Sequence, residues 1–210
     1  MTLPGPLAEA AAAARRGQLV VMPTDTVYGI GTRPDDAAAT GRIFEAKGRS
    51  RHLELPVLVA SSEQARAIAV VDERAERLAD RLWPGPLTIV LPRAADALGW
   101  DLGGDPTTVG VRVPDHPLTL ALLAETGPLA VTSANRSGEP PAADCDTLHG
   151  VFGDAVAVYL CEERPLGRAA STVIDLAHGA ARVLRAGALR PDAIAGVLGE
   201  EPLLDSPPSR

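Results

Sequence analysis

The stretch TTVGVRVP, Thr107–Pro114, alternates in a way that decides the fold class. Val109, Val111 and Val113 fall on one face of an extended strand, and Thr108, Gly110 and Arg112 on the other, because successive side chains of a strand point to opposite sides. The same period recurs in AVTSAN, Ala130–Asn135, where Val131, Ser133 and Asn135 line up together. A solvated sheet face accounts for either strand taken alone. The residue types argue for more, since small hydroxyls, one Arg and one Asn form a surface suited to a polar ligand.

Working outward, QLVVMP (18–23), LPVLVA (55–60), LTIVLP (87–92), AVAVYL (155–160), STVIDL (171–176) and ARVLRAG (181–187) read as further strands. Helices are expected over PLAEAAAAARRG (6–17), DDAAATGRIFEAKG (35–48), DERAERLADRLW (72–83), HPLTLALLAETG (116–127), ADCDTLHGVF (143–152) and RPDAIAGVLG (190–199). Strands and helices interleave without a strict βαβ rhythm. The expectation is one α/β domain over residues 1–200, a twisted mixed β-sheet with flanking helices, followed by a disordered tail at 201–210.

Composition sets the outer limits. The chain has 210 residues, 46% of them hydrophobic and 3% aromatic, and a net charge of −7. The core is therefore built from Ala, Val, Leu and Ile, and the charge argues against dedicated, high-affinity nucleic-acid binding. No apolar run approaches the ~20 residues that span a bilayer, and the N-terminal arginines follow the apolar stretch, the wrong order for a secretory signal. A soluble cytoplasmic protein is expected. Cys145 and Cys161 have no CxxC partner and are read without a metal-ligating histidine, as two separate reduced thiols.

Two further stretches concentrate polar residues. In PTDTVYGIG (Pro23–Gly31) a proline stops a strand, and two threonines and an aspartate follow. Asp25 or Thr26 can support backbone amides there, and the glycines allow positive φ or the close approach of a ligand. In KGR (47–49) stands Lys47, the only lysine among 20 Lys and Arg residues. A lysine in the last turn of a helix is favoured by the macrodipole and can be a plain solvated end. Its retention in a chain of arginines points instead to a compact point charge beside Arg49, with Arg185 on another strand, facing polyphosphate oxygens. P-loop, GxGxxG, GxSxG and HExxH motifs are absent.

Taken in order, PTDTVYGIG, FEAKGR, WPGPLTIVL, VGVRVPDHP, TSANRSGEP, STVIDL and VLRAG resemble the YrdC/TsaC family of threonylcarbamoyl-AMP synthases, over roughly residues 7 to 187. The resemblance implies a YrdC-like fold in its short single-domain form, with a concave cationic active-site face. It implies condensation of L-threonine, bicarbonate or CO2, and ATP to L-threonylcarbamoyl-adenylate with release of pyrophosphate. The product is passed to a tRNA threonylcarbamoyl-transfer complex that modifies the adenosine next to the anticodon.

Carried over motif by motif, Lys47 and Arg49 become the catalytic pair. With Thr108, Ser133, Asn135 and Arg185 they make the ATP site, aided by Mg²⁺ for which no protein ligand is identified. Thr26, Arg112, the backbone at Val131, and Ser171 become the threonine site. Ser50 stands where relatives often carry proline after Lys-x-Arg, and a serine common near Pro141 is missing. Two other readings compete: a non-catalytic RNA-binding or ribosome-assembly protein, and a paralogue acting on another carbamoyl-type substrate. Scarce aromatics and the −7 charge allow at most weak RNA binding.

Overall fold

Leu19–Met22, the first strand, is buried on both sides, and its residues divide between two apolar clusters. In a computed structural model, which describes residues 5–163, 166, 169–199 and 203–204, Leu19 and Val21 join one cluster and Val20 and Met22 the other. That division runs through the whole sheet and creates the cleft described below.

The strands are β1 (Leu19–Met22), β2 (Gly29–Thr32), β3 (Val57–Leu58), β4 (Leu87–Pro92), β5 (Thr108–Arg112), β6 (Leu129–Ser133), β7 (Val156–Tyr159), β8 (Thr172–Asp175), β9 (Arg182–Arg185) and β10 (Leu203–Leu204). Among the described residues they form one sheet in the order β10-β9-β8-β4-β5-β3-β6-β2-β1-β7. Parallel and antiparallel pairs mix, with β4 antiparallel to β5 but parallel to β8. The helices are α1 (Gly5–Arg15), α2 (Ala37–Lys47), α3 (Ser62–Ile68), α4 (Glu73–Leu82), α5 (Pro117–Thr126), α6 (Cys145–Phe152) and α7 (Pro191–Leu198).

The first cluster takes Ile43 and Phe44 of α2, Ile68 of α3, Leu78 of α4, Phe152 of α6 and Ile194 of α7. It covers one sheet face along its length, including Leu87, Ile89 and Leu91 of β4 and Val109 and Val111 of β5. The second cluster joins α1 and α5 to Val20, Met22, Leu58, Leu129 and Val131. On β4, β5, β8 and β9 the alternate residues Thr88, Val90, Gly110, Arg112, Val173 and Leu184 instead line a cleft of about 310 Å³. The cleft is thus the half of the second sheet face that α1 and α5 leave uncovered.

Local signals explain most element ends. Asp36 caps α2 by accepting from the Ala38 and Ala39 amides, and Gly48 ends it in the left-handed region at φ 59°, where only glycine is free of a Cβ penalty. The α3 helix was not anticipated. Its signature is the Ser61 cap, whose Oγ accepts from Gln64 N, while Gln64 Oε1 reaches back to accept from Ala60 N.

Four expectations change. Residues 29–32, read with the preceding loop as a turn, form β2 between β1 and β6. Neither Gly29 nor Gly31 has positive φ; a Cβ on either would lie 2.6 Å from a Val131 methyl, and Gly29 also lines the cleft described below. Leu203–Leu204, in the expected disordered tail, pairs in parallel with β9; the rest of 201–210 lies outside the described residues. Cys145 and Cys161, expected as separate thiols, form a disulfide with Cα atoms 5.9 Å apart. The tight turn Gly153–Ala155 between α6 and β7 doubles the chain back, so Cys161 arrives beside the start of α6. No described helix is long and apolar enough to cross a membrane.

Candidate active site

Arg112, 5% exposed at the end of β5, organises the inner end of the cleft. Its Nε donates to Gly85 O at 3.0 Å, Nη1 to Thr26 Oγ1 at 3.0 Å, and Nη2 to Asp25 Oδ1 at 2.5 Å. A guanidinium carries five N–H groups. Three are spent on the protein, Asp25 included, which leaves one N–H on each terminal nitrogen for a ligand. Burial pushes its pKa down, and Asp25 opposes that shift. The loop that supplies Thr26 and Asp25 is held by its own bonds: Thr24 Oγ1 donates to Val27 O, and Asp25 Oδ1 also accepts from Asp115 N.

The outer end is built on β9 and the segment before β8. Arg185 Nη2 donates to Ser171 O at 2.8 Å and to Ser171 Oγ at 3.0 Å. Ser171 Oγ lies 2.9 Å from Thr88 Oγ1, a bond between neighbouring strands that are parallel and in register, Leu87 opposite Thr172. Gly187 allows this closeness, since a Cβ there would stand 2.5 Å from Ser171 O. Arg49, just beyond α2, donates from Nη2 to Glu54 O at 3.0 Å. Among the described residues neither Arg49 nor Arg185 pairs with a carboxylate. Burial lowers the pKa of both, and Arg185 lowers that of Arg49 further. Two guanidiniums that repel each other across a cleft suit a polyanion.

Of the residues expected to form the site, Thr26, Arg49, Arg112, Val131, Ser133, Ser171 and Arg185 line this cleft. Lys47, Thr108 and Asn135 are not among its lining residues. Thr108 is buried, and its carbonyl accepts from Arg93 Nε. Asn135 lies past the end of β6 and spends its Nδ2 on Arg136 O and Glu139 O. Lys47 is in the last turn of α2, as expected, yet it is 2% exposed. Its ammonium donates at 2.5 Å to both Ser133 O and Asn135 O. Burial, reinforced by Arg49, lowers its pKa to about 8.

Sequence reasoning passed over Thr88, Gly85 and Glu54. Thr88 sits at the polar phase of an apolar strand, the same signal that singled out Arg112. Glu54 carried no signal, because its environment is made by residues far along the chain. Glu54 is among the residues lining the cleft, and its carboxyl is pushed up to about 8 by burial, which Arg93 opposes and Asp105 and Asp175 reinforce. Arg93 Nη2 is 3.7 Å from Glu54 Oε1, and among the described residues neither atom has a hydrogen-bond partner.

A sequence model for Sua5, YciO and YrdC proteins, described as "Telomere recombination", matches residues 12–187. The chain belongs to the Sua5/YciO/YrdC family. It is 44% identical over 197 residues, 93% of this chain and 89% of the other, to a putative threonylcarbamoyl-AMP synthase of Mycobacterium leprae. To the threonylcarbamoyl-AMP synthase of Bacillus subtilis it is 37% identical over 92% of this chain and 56% of that one. Among solved structures, Sua5 of Pyrococcus abyssi complexed with L-threonine superposes with a TM-score of 0.86 at 36% identity, covering 95% of this chain and 58% of that one. YciO of Escherichia coli superposes with a TM-score of 0.78 at 26% identity, over 86% of this chain and 88% of the other.

Proposed function

We propose that this Sua5/YciO/YrdC protein makes L-threonylcarbamoyl-adenylate from L-threonine, bicarbonate or CO2, and ATP, releasing pyrophosphate. It would act as a nucleotidyltransferase that supplies the threonylcarbamoyl group for tRNA modification. The observation that carries the reading is the division of labour along one cleft. Arg112, with two N–H groups unspent at the inner end, suits a carboxylate; Arg49 and Arg185 at the outer end, without carboxylate partners among the described residues, suit a triphosphate.

In this reading the threonine carboxylate docks on Arg112 beside Thr26, with Ser171 and the Val131 backbone bounding the amino acid. The neutral amine adds to CO2, forming an N–C bond and releasing its proton. A carbamate oxygen then attacks the α-phosphorus; the new P–O bond forms as the α–β bridging bond breaks, and pyrophosphate leaves. Arg49, Arg185 and Ser133 hold the phosphates in line and take up the charge that develops, so the contribution is positioning plus electrostatics. The described residues hold no group of three His, Cys, Asp or Glu side chains arranged for a metal. Mg²⁺ bound to ATP would be held by phosphate oxygens and several waters, and no step is assigned to it.

The test is pyrophosphate release by purified protein given ATP, Mg²⁺, threonine and bicarbonate. Release should require both threonine and bicarbonate, and adenylate should accumulate in equal amount. Release that is indifferent to threonine would sink the reading, and replacing threonine by serine measures how far the pocket selects.

A further inference from the structure

We infer that Lys47 is a positioning residue and not a phosphate ligand: its ammonium clamps the turn that presents Ser133 to the cleft. The inference rests on the proposed reaction but concerns which group touches ATP.

An ammonium has three N–H groups and no acceptor. Two of those on Lys47 are committed to the carbonyls of Ser133 and Asn135, and the third has Asn135 Oδ1 at 3.5 Å. All three acceptors belong to one turn, which leaves no donor for a phosphate. The same residue grips the turn a second time, since its own carbonyl accepts from Ser137 N at 2.9 Å. Asn135 completes the unit by bonding Arg136 O and Glu139 O. Ser133, meanwhile, is in register with Gly29 across the β2–β6 ladder and lines the cleft with Arg49. Lys-x-Arg and Ser-x-Asn are therefore two halves of one bracket, in which Lys47 and Asn135 hold while Arg49 and Ser133 face the ligand.

This also accounts for a lysine in a chain whose other 19 cations are arginine. A tetrahedral ammonium converges on carbonyls of one tight turn. A planar guanidinium with five N–H groups would overfill the same slot and leave donors buried and unpaired.

The unique lysine makes the test direct, because nitrogen-15 lysine labelling yields a single side-chain signal. Hydrogen-bond couplings from Nζ to the Ser133 and Asn135 carbonyls should be present in the free protein and persist when inorganic pyrophosphate is added. Their absence, or a new coupling between Nζ and phosphorus, overturns the inference. A kinetic cycle gives the second arm. Lys47→Met should lower kcat on the order of 100-fold, the scale of a misplaced reacting group, and adding Ser133→Ala should cost little more, since both act through the same hydroxyl. Multiplying effects would identify Lys47 as an independent ligand. Failure of the proposed reaction would show in the wild-type assay, whereas failure of this inference shows in the Nζ signal and in the cycle.

Discussion

Arg112 Nη1 lies 3.0 Å from Thr26 Oγ1, a bond that crosses 86 residues of sequence and joins the first loop of the chain to the middle of its sheet. The loop and the strand are thereby one device, and the guanidinium is oriented before any ligand arrives. Arg112→Lys keeps the charge but cannot serve Gly85 O, Thr26 and Asp25 at once. The expected result is a threonine KM raised about 100-fold, the loss of a bidentate contact, with the KM for ATP changed little. Unfolding should become easier by about 1–3 kcal/mol as buried partners lose their donor. An unaltered threonine KM would remove Arg112 from the threonine site.

Gly29 faces Val131 across the β2–β6 step, and a Cβ would meet the Val131 Cγ1 methyl at 2.6 Å, with the next atom at 3.7 Å. Gly29→Ala should therefore cost about 1–3 kcal/mol through overpacking. Because one methyl is responsible, Val131→Ala in the same chain should recover much of that loss. Denaturant unfolding of both single variants and the double measures the coupling. Strictly additive costs would mean the strain lies elsewhere.

What the sequence disclosed, and what it hid, follows from the range of the forces involved. Period-two alternation in Thr107–Pro114 is local, and the valines and Arg112 fall on the faces that it predicts. The cap at Asp36 and the stop at Gly48 are equally local. The role of Lys47 is not, since its acceptors lie 86 and 88 residues away; composition marked the residue but could not name its partners. Glu54 lies deeper still, raised by burial against the opposing Arg93, with Asp105 and Asp175 adding to the rise. Strand β2 was hidden because GIGT lacks the β-branched density of a strand. Its glycines are there for the packing of Val131.

Cys145 and Cys161 close a loop with a sequence separation of 16. A cross-link over a loop of that length stabilises by about 3 kcal/mol in the chain-entropy account. Cys145→Ser with Cys161→Ser should lower the unfolding free energy by that order, and a reducing agent should do the same to the wild type while leaving the double variant unmoved. Identical unfolding curves with and without reductant would show that the bridge contributes nothing in solution.

Glu54 offers a prediction whose sign depends on pH. Its carboxyl is pushed up to about 8 by burial, which outweighs the opposing attraction of Arg93. Arg93 is itself shifted downward by burial first, so from both partners burial outweighs their mutual attraction, as is common for ion pairs away from water. An unfolded glutamate titrates near ~4.3. Between that value and about 8 the folded chain holds a proton that the unfolded chain has lost, so stability falls as pH rises through the window. The contribution of Glu54 is fully present below the unfolded value and lost above the folded one. Glu54→Gln reproduces the neutral carboxyl and removes the titration. The variant should match the wild type at and below a pH of about 4 and become progressively the more stable protein as pH rises toward 8, by an amount on the order of a few kcal/mol. Thermal unfolding of the two proteins across that window decides it. Parallel stability curves would mean that Glu54 titrates normally and is ionised against Arg93 throughout.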